Sequence, residues 1–167
     1  YEFEQNDVRE PSFDFHYKND MIFFFAKEKY TTLYRAQRKK TGKFRKPVAI
    51  TNVGLEGAVK LAVDWIGNSV YWTNNILHRV EQILDDGSIR RTIVSDCDRP
   101  HAIAVDSSAG YIFYSDLSTS DDFASLNRVD MSGENKVSVL GPHSEFTQIL
   151  SISHLFMVSL TIAGPIF

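Results

Sequence analysis

Short apolar runs separated by polar turn residues follow one another through most of this chain. Leu61–Asp64 and Ser69–Thr73 flank the turn letters WIGN, and His78–Leu84 and Arg90–Val94 flank DDGS. Runs of about four to eight residues bounded by Gly, Asn and Asp, with an Asp-Gly hairpin signal, predict β-strands. We therefore expect four antiparallel strands here, and the first 140 residues lack convincing helical periodicity with caps.

The same pattern of residues recurs 42 positions later, counting from Asp64 to Asp106. LAVDWIGNSVYWTN at 61–74 is matched by IAVDSSAGYIFYSD at 103–116. A second set of strands is predicted at Ala102–Asp106, Tyr111–Asp116, Ser125–Asp130 and Lys136–Leu140. A period of about 40–45 residues that holds four short strands is typical of a propeller blade.

A weaker unit precedes these two, beginning with MIFFFA at Met21. Three tetrapeptides are predicted to be equivalent: LYRA at 33–36, LHRV at 77–80 and LNRV at 126–129, each followed by a turn at Gly42, Gly87 or Gly133. The third unit carries an insertion, LSTSDDFA, before its LNRV. These matches divide the chain into a linker or the end of a preceding module (1–20), three repeat units (21–141) and an atypical apolar tail (142–167).

The tail breaks the pattern, because residues 149–167 contain no Asp, Glu, Lys or Arg. A transmembrane helix needs about 20 apolar residues, but serine, threonine, histidine and proline dilute this segment. Three interpretations stay open: a membrane span, buried strands, or an end that is foreign to the native repeat.

Composition narrows the class of protein. The 167 residues are 43% hydrophobic and 23% charged with a net charge of −3, which suits one soluble domain and argues against nucleic acid as a partner. Cys97 is the single cysteine, so no disulfide framework is expected. No signal peptide is visible at the start of the chain.

Two stretches now point to a family. VYWTN at 70–74 and IFYSD at 112–116, with RPHAIAVD at 99–106, resemble the YWTD repeats (LDL-receptor class B repeats) of the low-density lipoprotein receptor family, and most of all those of the LDL-receptor-related proteins. The resemblance implies an all-β fold: a partial six-bladed YWTD-type β-propeller of about three four-stranded antiparallel blades, with the ring incomplete. The family's final Asp would accept hydrogen bonds at a strand end; Asp116 keeps it, whereas Asn74 and Ala26 replace it. The positions expected to carry this structural motif are Asp64, Tyr71, Trp72, Thr73, Asn74, Arg79, Gly87, Asp106, Phe113, Tyr114, Ser115, Asp116, Arg128 and Gly133.

Nothing in the sequence predicts catalysis, a cofactor or a metal. Nucleophile elbows, Gly-rich phosphate loops and His-Glu zinc helices do not occur. The histidines, at positions 16, 78, 101, 143 and 154, are too scattered for a metal-ligand motif. The Asp64/Asp106 pair is read as structural, because the two residues are equivalent in a repeat.

Two features suggest contacts with partners. The basic run at 35–46, which includes Lys39, Lys40 and Lys43, is either a solvated hairpin tip or a docking patch for an acidic protein segment or a sulfated glycan. His78, and secondarily His101, would change charge between neutral and endosomal pH.

The resemblance implies a non-enzymatic extracellular part of a plasma-membrane and endosomal receptor. Its partners would be secreted protein or lipoprotein ligands and other modules of the same receptor, with uptake followed by acid-dependent release. Two alternatives remain open: a propeller enzyme of the lactonase or hydrolase type, with carboxylates converging on the channel, and a matrix or signalling co-receptor module.

Overall fold

Three four-stranded antiparallel sheets account for most of the chain. A computed structural model describes residues 12–118, 123–141, 148–152, 154–155, 157–158 and 161–163. The strands of each sheet lie side by side in sequence order. We call these sheets blades 1, 2 and 3.

The strand bounds follow the predicted turns. Blade 1 consists of β1 (Phe13–His16), β2 (Met21–Lys27), β3 (Thr31–Gln37) and β4 (Val48–Thr51). Blade 2 consists of β5 (Ala58–Asp64), β6 (Ser69–Asn74), β7 (Arg79–Leu84) and β8 (Arg90–Val94). Blade 3 consists of β9 (Pro100–Asp106), β10 (Tyr111–Leu117), β11 (Ala124–Asp130) and β12 (Val137–Leu140). The all-β fold with three antiparallel blades in an open arrangement is confirmed.

The first two strands of each blade pair in one shared register. The equivalent cross-strand pairs are Phe13 with Phe24, Leu61 with Trp72, and Ile103 with Tyr114. The turn between these strands also repeats its backbone, since its last residue has a positive φ in every blade: Asp20 (49°), Asn68 (51°) and Gly110 (77°). The 42-residue match therefore reflects one backbone plan used three times.

The interpretation of residues 1–20 as a linker or the end of a preceding module is wrong for Phe13–His16. These residues form β1 and pair with β2, opposite Phe24 to Met21. The alternation of apolar and polar residues in FDFH is too short to stand out, and His16 occupies the position that Asp64 and Asp106 hold in the other blades.

The alignment of LHRV with LYRA and LNRV is also wrong. Leu33 lies opposite Phe25 and Leu126 lies opposite Ser115, whereas the residue opposite Thr73 is Val80 rather than Leu77. The blade 2 counterpart of LNRV is thus VEQI at 80–83, three residues further on, and the counterpart of Arg128 is Gln82 rather than Arg79. His78 lies in the turn before β7, with φ at 53°, and not in the strand.

Apolar side chains join the blades face to face. Phe23 and Leu33 of blade 1 pack with Leu61, Val70 and Trp72 of blade 2. A second cluster fills the seam between blades 2 and 3; its members include Tyr71, Val80, Val94, Cys97, Ile103, Ile112 and Tyr114. Each blade thus contributes one face to each neighbouring seam.

The described part of the tail lies against blade 3. Here β13 (Gln148–Ser151) pairs with β16 (Thr161–Ala163), and β14 (His154–Leu155) pairs with β15 (Met157–Val158). Ile152, only 9% exposed, packs in a cluster with Ala102, Ala104 and Leu126. This part of the tail therefore forms strands, with Ile152 buried beside blade 3. The described residues include no helix long and apolar enough to cross a membrane.

Candidate functional site

The two aromatic residues of the blade 2 motif face opposite seams. Tyr71 is buried in the cluster shared with blade 3, and its neighbour Trp72 is buried in the cluster shared with blade 1. Successive side chains on a strand point to opposite sides of the sheet, so adjacent large rings fill both seams at once. In blade 3, Tyr114 packs against blade 2 while Phe113 packs toward the cluster that contains Ile152.

The motif hydroxyl occupies an irregularity in the ladder. The pairing of β5 with β6 shifts register between Ala58 and Leu61, and the Thr73 hydroxyl accepts a hydrogen bond from Lys60 N at 3.3 Å. In blade 3 the Ser115 hydroxyl accepts a hydrogen bond from Ala102 N at 2.9 Å. A Thr or Ser side chain at this position therefore replaces a backbone partner that the bulge removes.

The last motif position bonds differently in the two blades. The Asp116 carboxylate accepts hydrogen bonds from Asp98 N (3.0 Å) and Arg99 N (2.8 Å), in the segment that leads from blade 2 into β9. Asn74 instead donates through Nδ2 to Gly54 O at 3.2 Å and accepts through Oδ1 from Leu77 N at 2.9 Å. An amide suits this site because a carboxylate could not donate to the Gly54 carbonyl.

The motif aspartates cap the first turn of their blades. Asp64 Oδ1 accepts from Ile66 N at 3.0 Å, and Asp106 Oδ1 accepts from Ala109 N at 2.9 Å. In blade 1 the imidazole of His16 takes this place, with Nδ1 at 3.3 Å from Asn19 N. The paired carboxylates therefore hold separate turns, one in each blade, and are not gathered at one centre.

A buried ion cluster in blade 2 was not predicted from the sequence. Glu81 is 1% exposed, lies 2.7 Å from Arg90 Nη2 and 3.0 Å from Arg79 Nη2, and sits directly opposite Trp72. The Arg90 guanidinium lies 5.0 Å from the Trp72 ring centroid and donates to the carbonyl oxygens of Val53 and Gly54. The signal available was one acidic residue inside the buried strand VEQI.

Each of the three turn glycines has a positive φ angle, which glycine adopts without steric cost. Gly42, Gly87 and Gly133 have φ values of 84°, 83° and 92°, and a Cβ on Gly133 would lie 2.4 Å from Ile93 O. Arg128 stacks over the Tyr111 ring with its guanidinium carbon 4.4 Å from the centroid. These residues serve turns and strand packing.

The basic residues singled out in the sequence form an exposed hairpin at the end of blade 1. Gly42 N donates to Lys39 O at 2.9 Å and Lys39 N donates to Lys43 O at 2.8 Å. Lys39, Lys40 and Lys43 are all exposed. The exposure of this hairpin is compatible with both sequence-based interpretations, a solvated tip and a docking patch.

The two histidines singled out as pH-sensitive lie near the junction of blades 2 and 3. His78 is exposed, its Nδ1 contacts Asp98 O, and its own carbonyl accepts from Cys97 N at 3.2 Å. The His101 carbonyl accepts a 2.6 Å hydrogen bond from the Thr73 hydroxyl. Both histidines are thus tied by their backbone to the link between two blades.

The buried Cys97 thiol and Tyr71 hydroxyl are held in their neutral forms. Desolvation raises the pKa of the Cys97 thiol to about 12, and desolvation with the nearby charge of Asp64 raises the pKa of Tyr71 to about 12. A thiol with a raised pKa is a poor nucleophile at neutral pH. Among the described residues, no group of three or more His, Cys, Asp or Glu side chains could hold a metal ion.

Comparison with curated proteins finds relatives by sequence. No family model matches the chain. Low-density lipoprotein receptor-related protein 5 of Mus musculus is 36% identical over 72 residues, which are 41% of this chain and 4% of that protein. The chain therefore spans a small fraction of the length of this curated relative.

Solved structures share the fold at low sequence identity. The crystal structure of a nidogen/laminin complex matches with a TM-score of 0.78 and 19% identity, covering 92% of this chain and 56% of that chain. A mutant puromycin hydrolase matches with a TM-score of 0.62 and 13% identity, covering 87% and 24%. At these identities the likeness shows a propeller architecture that both binding proteins and enzymes use.

Proposed function

We propose that this chain, a three-bladed arc of β-propeller whose motif resembles the YWTD repeats of the low-density lipoprotein receptor-related proteins, is a non-enzymatic, protein-binding part of an extracellular receptor. The observation that carries the proposal is the motif itself. Its aromatic, hydroxyl and Asp or Asn positions recur in one register and serve the seams between blades. Those residues stabilise a scaffold, so binding falls to the exposed turns and faces.

The chemistry of the described residues supports a binding role over catalysis. Cys97 is buried with a raised thiol pKa, and Asp64 and Asp106 each cap their own turn. Hydrolysis needs an activated nucleophile or a positioned acid and base.

The finer proposal is endocytic uptake of secreted protein or lipoprotein ligands with release in acidic endosomes. His78 supports it, since its side chain is exposed beside Asp98 and Cys97, where blade 2 leads into blade 3. Histidine is the side chain that changes charge between neutral and endosomal pH, and a charge on His78 would act on the Asp98 segment, whose backbone the imidazole contacts and whose amide bonds the Asp116 carboxylate. New contacts in this segment would compete with a ligand bound across the junction.

A binding experiment at two pH values tests both the protein-binding role and the acid-dependent release. The probes are low-density lipoprotein and purified laminin, each immobilised and titrated with the whole chain at pH 7.4 and pH 5.5. We expect at least one probe to bind at pH 7.4 and to lose affinity at pH 5.5, and His78→Ala to reduce that loss. His101→Ala, at the second candidate histidine, tests whether that residue contributes to the same loss.

The outcomes distinguish the protein-binding role from the acid-dependent release. Binding with the same pH dependence in His78→Ala removes the histidine switch and leaves the binding role. Absence of binding to either probe, together with turnover of lactone or aryl ester substrates, would instead favour a propeller enzyme. Binding to laminin alone, with no change at pH 5.5, would favour a matrix module.

A further inference from the structure

The hairpin that joins β3 and β4 differs from its counterparts in the other blades. Twelve residues separate the paired positions Arg35 and Val48 in blade 1. Eight residues separate Gln82 from Arg91 in blade 2, and eight separate Arg128 from Val137 in blade 3. Blade 1 therefore projects four extra residues beyond the common edge, and the scaffold itself does not require them.

Most residues at the tip of this longer hairpin carry a positive charge. Six of the nine residues from Arg38 to Lys46 are Lys or Arg, and all nine are exposed. Their backbone is fixed by the bridge between Arg38 and Phe44 and by the turn at Gly42. Adjacent like charges on an ordered tip repel one another, so the arrangement costs stability unless something compensates it.

Only one of these cations has an anionic partner among the described residues. Arg38 lies 2.6 Å from Asp20 and stacks over Phe15, with its guanidinium carbon 5.4 Å from the ring centroid. The side chains without a described ion pair are those of Lys39, Lys40, Lys43, Arg45 and Lys46. Because opposite residues in a hairpin share a face, Lys39 and Lys43 lie on the side away from Arg38.

We propose that this hairpin, residues 38–46, is a binding site for a linear sulfated polysaccharide. A glycosaminoglycan chain carries closely spaced sulfate and carboxylate groups along its length, and it needs flexible cations rather than apolar pockets. Ammonium and guanidinium groups bind such oxyanions through charge-assisted hydrogen bonds.

The surroundings favour a polysaccharide over an acidic protein segment. A protein segment usually anchors large side chains in pockets. A cavity of about 360 Å³ has Lys29, Tyr30 and Thr32 in its lining, at the β2–β3 turn and so at the opposite end of blade 1. The neighbouring hairpin of blade 2 presents Asp85 and Asp86, which limits the anionic ligand to the blade 1 side.

The test compares two pairs of exposed lysines in the same blade. Lys39→Gln with Lys43→Gln removes two charges from the hairpin, and Lys27→Gln with Lys29→Gln removes two charges at the opposite end. Binding of the whole chain to immobilised heparin is measured over a series of salt concentrations. We expect the hairpin pair to lower affinity roughly tenfold or more and to flatten the salt dependence, while the other pair changes affinity less than about twofold. Lys39→Arg with Lys43→Arg should retain binding.

Several outcomes would overturn the proposal. Equal losses in both lysine pairs would show a diffuse effect of net charge. Equal binding to heparin and to its desulfated form would remove the sulfate requirement. Preference for polyglutamate over heparin would identify an acidic protein segment as the ligand. None of these measurements uses a protein ligand or cellular uptake, so they stand apart from the receptor proposal.

Discussion

The Thr73 hydroxyl donates a 2.6 Å hydrogen bond to the backbone carbonyl of His101, which links the second strand of blade 2 to the first strand of blade 3. The same hydroxyl accepts from Lys60 N within its own blade. One small side chain therefore closes a bulge and fastens two blades together. The first of these roles explains why a hydroxyl recurs at the third motif position, since Ser115 accepts from Ala102 N in the same way in blade 3.

Replacing Thr73 with Val should loosen this seam. Valine keeps the shape but leaves the Lys60 amide and the His101 carbonyl without this partner, which costs about 1–3 kcal/mol for a buried hydrogen bond. Cys97 reports the opening, because it is 7% exposed and belongs to the cluster that fills the same seam. We expect iodoacetamide to label Cys97 about tenfold faster or more in Thr73→Val.

Two controls define that result. Thr73→Ser retains the hydroxyl, as Ser115 does in blade 3, and should label almost as slowly as the parent chain. Thr92→Val changes an exposed threonine of β8 and should have no effect. If Thr73→Val labels at the parent rate, the hydroxyl does not fasten the blades.

Replacing Asn74 with aspartate, the residue that Asp116 supplies in blade 3, should destabilise this chain. Asn74 is fully buried and donates to the Gly54 carbonyl. A carboxylate there would face that carbonyl oxygen and would have to lose its hydration. We expect Asn74→Asp to lower the free energy of unfolding by about 2–3 kcal/mol, as measured by urea titration of tryptophan fluorescence.

The neighbouring residue supplies a matched control. Asn75 is exposed, and Asn75→Asp makes the same change of charge one position away. It should alter stability by less than about 0.5 kcal/mol. A stabilised Asn74→Asp variant would show that the motif carboxylate is favourable here and that the Gly54 contact matters little.

The strands of blades 2 and 3 could be predicted because two signals coincide there. Turn residues such as Gly67 and Gly87 mark the strand ends, and the 42-residue match fixes equivalent positions. The cross-strand alignment could not be predicted in the same way. LHRV resembles LNRV in three letters, but ladder hydrogen bonds set the register, and these place Val80 opposite Thr73.

Blade 1 was recognised only in part because its defining residues have changed. His16 stands where the other blades have an aspartate, and Phe25 stands where they have a hydroxyl. The exposed basic hairpin was visible in composition, whereas its extra length became measurable only from the strand pairing. The ion cluster at Glu81 could not be predicted from the sequence. Arg79 lies in the same strand as Glu81, but Arg90 comes from the adjacent strand and is brought close only by strand pairing.

Asp116 should make stability fall as the pH rises from strongly acidic values. Burial raises the pKa of its carboxyl group above 3.8, against the lowering effect of hydrogen bonds from Asp98 N and Arg99 N. The folded state therefore binds this proton more tightly than the unfolded state, so the contribution is complete below pH 3.8 and is lost as the pH passes the folded pKa. Asp116→Asn removes the titration. We expect the difference in free energy of unfolding, parent minus variant, to decrease from pH 3 to pH 6; an increase would mean that hydrogen bonding outweighs burial.

The outer face of blade 1 should make this chain associate with itself. Phe13 is 63% exposed, whereas the equivalent residues Leu61 and Ile103 are 5% and 6% exposed, because each packs against the preceding blade. Phe15 and Phe24 lie on the same face as Phe13. An apolar sheet face of this kind is a template for association. We expect sedimentation velocity to show concentration-dependent oligomers of the whole chain.

Phe13→Ser should weaken this association about tenfold or more, since burial of a Phe side chain contributes about 1.5–3 kcal/mol. Ile89→Ser is the matched control: Ile89 is 60% exposed, almost as much as Phe13, but it lies in the β7–β8 turn of blade 2 and should leave the oligomers unchanged. Equal effects of the two substitutions would point to general surface hydrophobicity. A monodisperse monomer with a sharp, cooperative melt in the parent chain would show that the face is not adhesive and that three blades with their tail form a complete folding unit.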